Sequence, residues 1–117
     1  MSRKILIIDD DSSTLESIGS YLQEVGFEIE MATNGIDGLE IIKSNKPDLV
    51  ITDVKMPRLG GVELNYILKG IKFNNPVIFI SAYEEDKVNN TSEYFAFLHK
   101  PLDIFELTSQ INRALTN

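Results

Sequence analysis

At 117 residues, 43% hydrophobic and 25% charged, the chain has the length and composition of one packed core, which excludes wholesale disorder. Its formal net charge of −7 argues against the basic face that nucleic acid or an anionic membrane surface demands, so neither is an expected partner. The absence of cysteine removes disulfides, a thiol nucleophile and thiolate metal ligands, and the single histidine, His99, cannot build an imidazole cage.

Ile5-Leu6-Ile7-Ile8 is a continuous apolar run that reads as a strand buried on both faces. It is too short for a signal peptide, and no later run reaches the length of a membrane span, so a cytoplasmic location is expected. The strand ends on Asp9-Asp10-Asp11, and Ser12 or Ser13 is placed to cap a helix carrying Leu15, Ile18, Tyr21, Leu22 and Val25 at helical spacing. Gly26 stops that helix. Phe27 to Met31 alternates with Glu28 and Glu30, as an edge strand would. Asn34-Gly35 reads as a turn before a second short helix over Ile36 to Lys43, which Pro47 closes off.

Leu49-Val50-Ile51-Thr52-Asp53 is the central strand, an apolar run that ends on one carboxylate before the sharp turn through Pro57 and Gly61. Val62, Leu64, Ile67, Leu68 and Ile71 mark a third helix, and Val77-Ile78-Phe79-Ile80 a fourth strand ending on Ser81. Residues 83–94 are polar, with Val88 the lone aliphatic anchor, so a helix there is expected to be short or mobile. Phe95 to Leu98 reads as a fifth strand before His99-Lys100-Pro101, and Ile104, Leu107, Ile111, Ala114 and Leu115 as a final amphipathic helix.

Strand and helix alternate five times with no linker or repeat. That pattern predicts a single α/β domain over 1–117, a doubly wound parallel sheet with right-handed crossovers. The strand ends of such a sheet line one edge, where α/β proteins bind ligands, and this gathers Asp9, Asp10, Asp53, Ser81 and Lys100. Clustered carboxylates repel unless a cation neutralises them, and an all-oxygen donor set suits Mg²⁺ or Mn²⁺. An Asp beside such an ion can act as nucleophile toward a phosphoryl group, with Lys100 and Ser81 contacting phosphoryl oxygens. Taken singly, each residue has an ordinary role as cap, turn residue or surface charge. Together, on separate strand ends, they point to Asp53 as the reactive group.

These motifs resemble the receiver (REC) domain of two-component response regulators over nearly the whole chain. The carriers are Ile5 to Asp11, Asp53 with Met56-Pro57 and Gly61, Ser81-Ala82, and Phe97-Leu98-His99-Lys100-Pro101. The resemblance implies a flavodoxin-like sheet of order 2-1-3-4-5 and a signalling domain, not an enzyme. It implies Asp53 as phosphoacceptor from the phosphohistidine of a sensor histidine kinase or histidine phosphotransfer protein. Mg²⁺ would be held by Asp10, Asp53 and the Lys55 backbone carbonyl, with Asp9 acting through metal-bound water. Ser81 and Phe97 match the family's switch residues, Lys100 its lysine, and the Lys100-Pro101 peptide is expected to be cis. The altered surface would then signal to a downstream partner or output domain.

This sequence departs from the family pattern in three places. Gly60 stands where many relatives carry Asp, the 19 positions from Ser81 to Lys100 are a few fewer than usual, and Glu93-Tyr94 replaces Gly-Ala. A truncated fourth helix is therefore expected. Lys55 and Tyr83 occupy positions that flank the phosphorylation site, where they would shield the acyl phosphate from water. Two rival readings follow from the residues. Asp9-x-Asp11-x-Ser13 loosely resembles the nucleophile motif of haloacid-dehalogenase-like phosphatases, and a receiver fold can serve as a phosphorylation-independent interaction module. A calcium loop at Asp9, Asp11 and Ser13 is discarded, because Thr14 and Ser20 stand where the turn glycine and closing glutamate belong.

Overall fold

The computed structural model describes residues 2–90 and 92–116. Five parallel strands, β1 (Lys4–Ile8), β2 (Glu28–Ala32), β3 (Leu49–Asp53), β4 (Val77–Ser81) and β5 (Ala96–His99), form one sheet in the order β2-β1-β3-β4-β5. The helices are α1 (Ser12–Glu24), α2 (Gly35–Asn45), α3 (Gly61–Gly70) and α4 (Ile104–Thr116).

The sheet has two covered faces, and each inner strand divides its side chains between them. Ile5, Ile7, Ile51, Ile78 and Ile80 pack under α1 and α4, against Leu15, Leu22, Leu107 and Ile111. Leu6, Ile8, Val50 and Phe79 pack under α2 and α3, against Ile42, Leu64 and Leu68. This two-sided burial is why β1, β3 and β4 are near-continuous apolar runs. Each fully buried aliphatic side chain contributes about 1.5–3 kcal/mol relative to exposure. At one edge β2 keeps Glu28 exposed, as its alternation predicts, but Met31 is exposed as well and Glu30 is only half-buried, because this edge strand is incompletely covered.

Three local details differ from the sequence reading. The cap of α1 is Asp11, not Ser12 or Ser13: its carboxylate accepts from the Ser13 amide at 3.0 Å and from the Ser13 hydroxyl at 2.7 Å. Asn34 is likewise a helix cap, accepting from the Asp37 amide at 2.9 Å, so Asn34-Gly35 opens α2 directly. The fifth strand sits one residue later than expected, because the Lys100 amide still pairs with the Ser81 carbonyl at 2.7 Å and extends the ladder through His99. Gly26 does end α1, at φ +107°, a conformation other residues rarely adopt.

Hydrogen bonds from the Ser13 and Thr14 hydroxyls and the Ser13 amide hold the Asp11 carboxyl below its ordinary value of 3.8. A depressed acid stabilises the fold above its unfolded pKa and loses that contribution as pH falls through the folded value. Asp11→Ala is accordingly expected to lower the thermal midpoint at neutral pH. The gap from wild type should close as the pH drops below 3.8.

Among the described residues four α-helices are present, not five. Among the described residues of the β4–β5 crossover, the only helical turn is the 3₁₀ turn Glu85–Lys87. Asn, Asp, Ser and Thr are weak helix formers, and one valine gives no apolar stripe. Asn90 instead accepts from the Ser92 amide and donates to the Ser92 carbonyl, a local turn that competes with helix. Tyr94 covers the strands that a helix would otherwise cover. Its ring lies 5.0 Å from Phe79 and 6.4 Å from Phe97, and its hydroxyl donates to the Glu85 carboxylate.

Candidate functional site at the strand ends

Asp9 directly follows β1 and Asp53 ends β3, so the parallel register of the two strands brings their carboxylates together. Asp9 is fully buried, its Oδ1 accepting from the Asp11 amide at 2.9 Å and its Oδ2 from the Lys100 ammonium at 2.8 Å. The same ammonium donates to Asp53 Oδ2 at 2.9 Å, and the Lys55 amide approaches Asp53 Oδ1 at 3.4 Å. Asp10 is exposed at the rim, and the three carboxylates present oxygens within 4.8 Å of one another.

Lys100 reaches this point because it directly follows β5, which pairs with β4; its peptide to Pro101 is cis, as expected. Ser81, buried at the end of β4, lies one residue past Ile80, the register partner of Asp53. Its hydroxyl accepts from the Tyr83 amide at 2.9 Å. Phe97 stands apart from the cluster, beside Phe79 and Tyr94 in the α2/α3 layer. The Lys55 ammonium lies over the Tyr83 ring, 5.1 Å from its centroid.

Burial is the main force pushing the Asp53 carboxyl above 3.8, the Asp9 charge adds to it, and the Lys100 hydrogen bond opposes it. For Lys100 itself burial pulls downward, but hydrogen bonds to Asp9 and Asp53 outweigh it and raise the ammonium above 10.5. Three carboxylates against one ammonium leave the pocket about two charges negative with all three ionised, an imbalance a divalent cation neutralises. The donors are all oxygen, which fits Mg²⁺ or Mn²⁺ and not a soft metal.

The turn after Asp53 depends on Gly61. Its amide donates to the Val54 carbonyl at 2.8 Å, and a Cβ there would lie 2.2 Å from the Asp53 carbonyl oxygen. That clash is with backbone, which has no rotamer to escape into. Gly61→Ala is expected to cost about 1–3 kcal/mol in unfolding free energy. Because the strain falls on the backbone of Asp53, one of the three clustered carboxylates, it should also weaken cation binding, measurable by Mg²⁺ titration.

The family model described as the response regulator receiver domain matches residues 5–112. The chain belongs to the receiver domain family. Sporulation initiation phosphotransferase F of Bacillus subtilis is 34% identical to this receiver domain, over 98% of this chain and 95% of that protein. Response regulator MprA of Mycobacterium tuberculosis is 32% identical over 98% of this chain; the chain spans about half of MprA's length, 51%. The receiver domain of Francisella response regulator 1452 superposes with a TM-score of 0.87 at 32% identity, covering 98% of each chain. A CheY-like receiver domain protein from Methanospirillum hungatei gives 0.88 at 26% identity, over 99% of this chain and 95% of that one. Receiver domains are regulatory signalling domains of two-component systems that bind Mg²⁺ at an acidic pocket, and Asp9, Asp10 and Asp53 form an acidic cluster in this chain. Among the described residues of this receiver domain, no helix is long and apolar enough to cross a membrane.

Two features of the site have no local signature in the sequence. One is the direct bond from Lys100 to Asp9, which joins residues 91 positions apart. The other is Tyr94, which reads as an ordinary loop aromatic until Phe79 and Phe97 are seen beneath it.

Proposed function

We propose that residues 1–117 form a single receiver unit whose Asp53 accepts a phosphoryl group from the phosphohistidine of a sensor histidine kinase or a histidine phosphotransfer protein. The observation that carries this reading is the single ammonium of Lys100, shared at 2.8 and 2.9 Å between Asp9 and Asp53 inside a three-carboxylate cluster. Similarity along 95% of a Bacillus subtilis phosphotransferase supports it. The reaction is one of signalling and not of metabolism, and its expected setting is the cytoplasm.

In this reading an Asp53 carboxylate oxygen attacks phosphorus, the P–N bond to the donor imidazole breaks, and the leaving imidazole takes up a proton. Asp10, Asp53 and the Lys55 carbonyl would hold Mg²⁺, with Asp9 acting through a bound water. When bound, the ion neutralises charge on the phosphoryl oxygens. Lys100 exchanges its Asp53 bond for one to a phosphoryl oxygen, and Ser81 turns its hydroxyl from the Tyr83 amide to another. The acyl phosphate carries about −2 where the carboxylate carried −1, and its extra oxygens make those contacts worth more than the resting ones. Phe97 then follows Ser81, changing the surface offered to a downstream partner or output domain; the shift is as large as the differential contacts allow.

The test is exposure of the protein to acetyl phosphate and Mg²⁺, followed by intact mass spectrometry and mapping of the adduct. A phosphoryl adduct on Asp53 is expected. No adduct, under conditions that label another receiver domain, would establish an inert interaction module instead. Lys55 and Tyr83, stacked beside the acceptor, are assigned a shielding role. Replacing both with Ala should shorten the phosphoform's half-life by about tenfold, the equivalent of 1.4 kcal/mol in barrier height. An unchanged half-life would remove them from the mechanism.

A further inference from the structure

The β4–β5 crossover leaves a helix position open on one face of the sheet. On that face α2 and α3 lie side by side, and the next place is held by Val88, Tyr94 and the 3₁₀ turn. A cleft of about 470 Å³ opens between α3 and the crossover, with Val54, Met56, Val62 and Val88 in its wall. It continues into a second hollow of about 280 Å³ that shares Val62, Glu63 and Asn89 and adds Tyr66, a residue 69% exposed. The groove follows α3, whose 10 residues span about 15 Å, the length of a helix of roughly three turns.

The charge on this groove runs against the rest of the molecule. The protein carries −7 overall, yet the first cleft is lined by two lysines, Lys55 and Lys87, against one acid, Glu63. We infer that the groove docks an amphipathic helix of a partner protein. The helix would set its apolar stripe on Val54, Met56, Val62 and Val88 and an acidic side chain against Lys55 and Lys87. This is recognition of the helix-in-groove kind, with the partner supplying the element the crossover omits. Lys55 and Tyr83 line the acceptor end of the cleft, so the docked helix abuts the loop that follows Asp53. The docking rests on the lining of the groove and not on Asp53 being the phosphoacceptor.

The probes are three fluorescein-labelled, stapled helical peptides of about four turns. One has a leucine stripe flanked by Glu, one the same stripe flanked by Lys, and one the Glu composition shuffled to destroy the stripe. Fluorescence anisotropy with the full chain should rank the Glu-flanked peptide at least about fivefold tighter than the other two, despite the protein's negative charge. Lys87→Glu and Tyr66→Glu, both at exposed positions, should each weaken it by about fivefold. Phe105→Glu, at an exposed position on the opposite face, should leave it unchanged, and amide shifts should fall on residues 54–67 and 83–93. Tighter binding of the Lys-flanked or shuffled peptide, shifts centred on α1 and α4, or no saturable binding would overturn the inference. A self-association that buries the groove in a second copy of the chain would overturn it as well.

Discussion

Asp53→Asn is expected to abolish phosphoryl incorporation from acetyl phosphate while leaving the protein at least as stable as wild type at neutral pH. The two halves of that result come from one environment. Burial and the Asp9 charge raise the Asp53 carboxyl above 3.8, so the ionised form is disfavoured in the folded state despite its bond to Lys100. For an acid raised in this way, the penalty is present in full above the folded pKa. It disappears as pH falls from there toward 3.8, where the unfolded chain also takes up a proton. The neutral amide escapes the penalty, so the stability difference between variant and wild type should narrow on acidification. Asp9→Asn behaves differently. It removes a partner of Lys100 and of the Asp11 amide without removing the nucleophile, so labelling should persist at a rate lower by about 10–100-fold. If the adduct instead vanished with Asp9 and survived loss of Asp53, the phosphatase-like reading would replace the receiver mechanism. Intact mass spectrometry with urea unfolding at several pH values measures both halves.

Lys100→Met carries the second large effect, and here stability and cation binding are linked. Removing the ammonium leaves the fully buried Asp9 and the largely buried Asp53 facing each other with no counter-charge. Breaking a buried pair from one side costs about 3–5 kcal/mol; with Lys100 and Asp53 partly solvated, about 2–4 kcal/mol is expected here. The raised pKa of Lys100 stabilises the fold at every pH below 10.5 and is lost only as pH climbs through the folded value. The wild-type advantage therefore spans the neutral range. Mg²⁺ should restore most of the loss, since a ligand at a hundred times its Kd adds about 2.7 kcal/mol to the native state. Thermal unfolding of the variant with and without Mg²⁺ gives the answer. A deficit that Mg²⁺ does not touch would mean Lys100 acts as a packing residue.

How much of this was legible in the sequence depends on whether the deciding interaction is local. Strands β1, β3 and β4 announce themselves because burial on both faces demands unbroken apolar runs, and their ends place Asp9, Asp53 and Ser81 by position alone. The weakness of the fourth helix was also readable, since a segment with one aliphatic residue and a run of Asn, Thr and Ser offers no apolar stripe. A short or truncated helix is expected there, and among the described residues only a 3₁₀ turn forms. Caps were harder. Asp11, Ser12 and Ser13 all have suitable side chains, and only the extended backbone at Asp11 decides among them. The strand β5 shifted by a residue because a four-residue edge strand is fixed by its ladder with β4, not by its own pattern. Lys100's bond to Asp9 is a product of topology and has no sequence neighbourhood at all.

Tyr94 gives the resting protein a bias of its own. Its ring, Phe79 and Phe97 share one small compartment, with centroids 5.0 to 6.4 Å apart. If Phe97 is the ring that moves on signalling, it leaves a three-ring arrangement worth about 0.5–1.5 kcal/mol per pair beyond area. Spontaneous excursions to the active packing are thereby thinned about two- to twelvefold per pair lost. On that reading, the aromatic that roofs the gap in the fold would also set how silent the domain is when no signal has arrived.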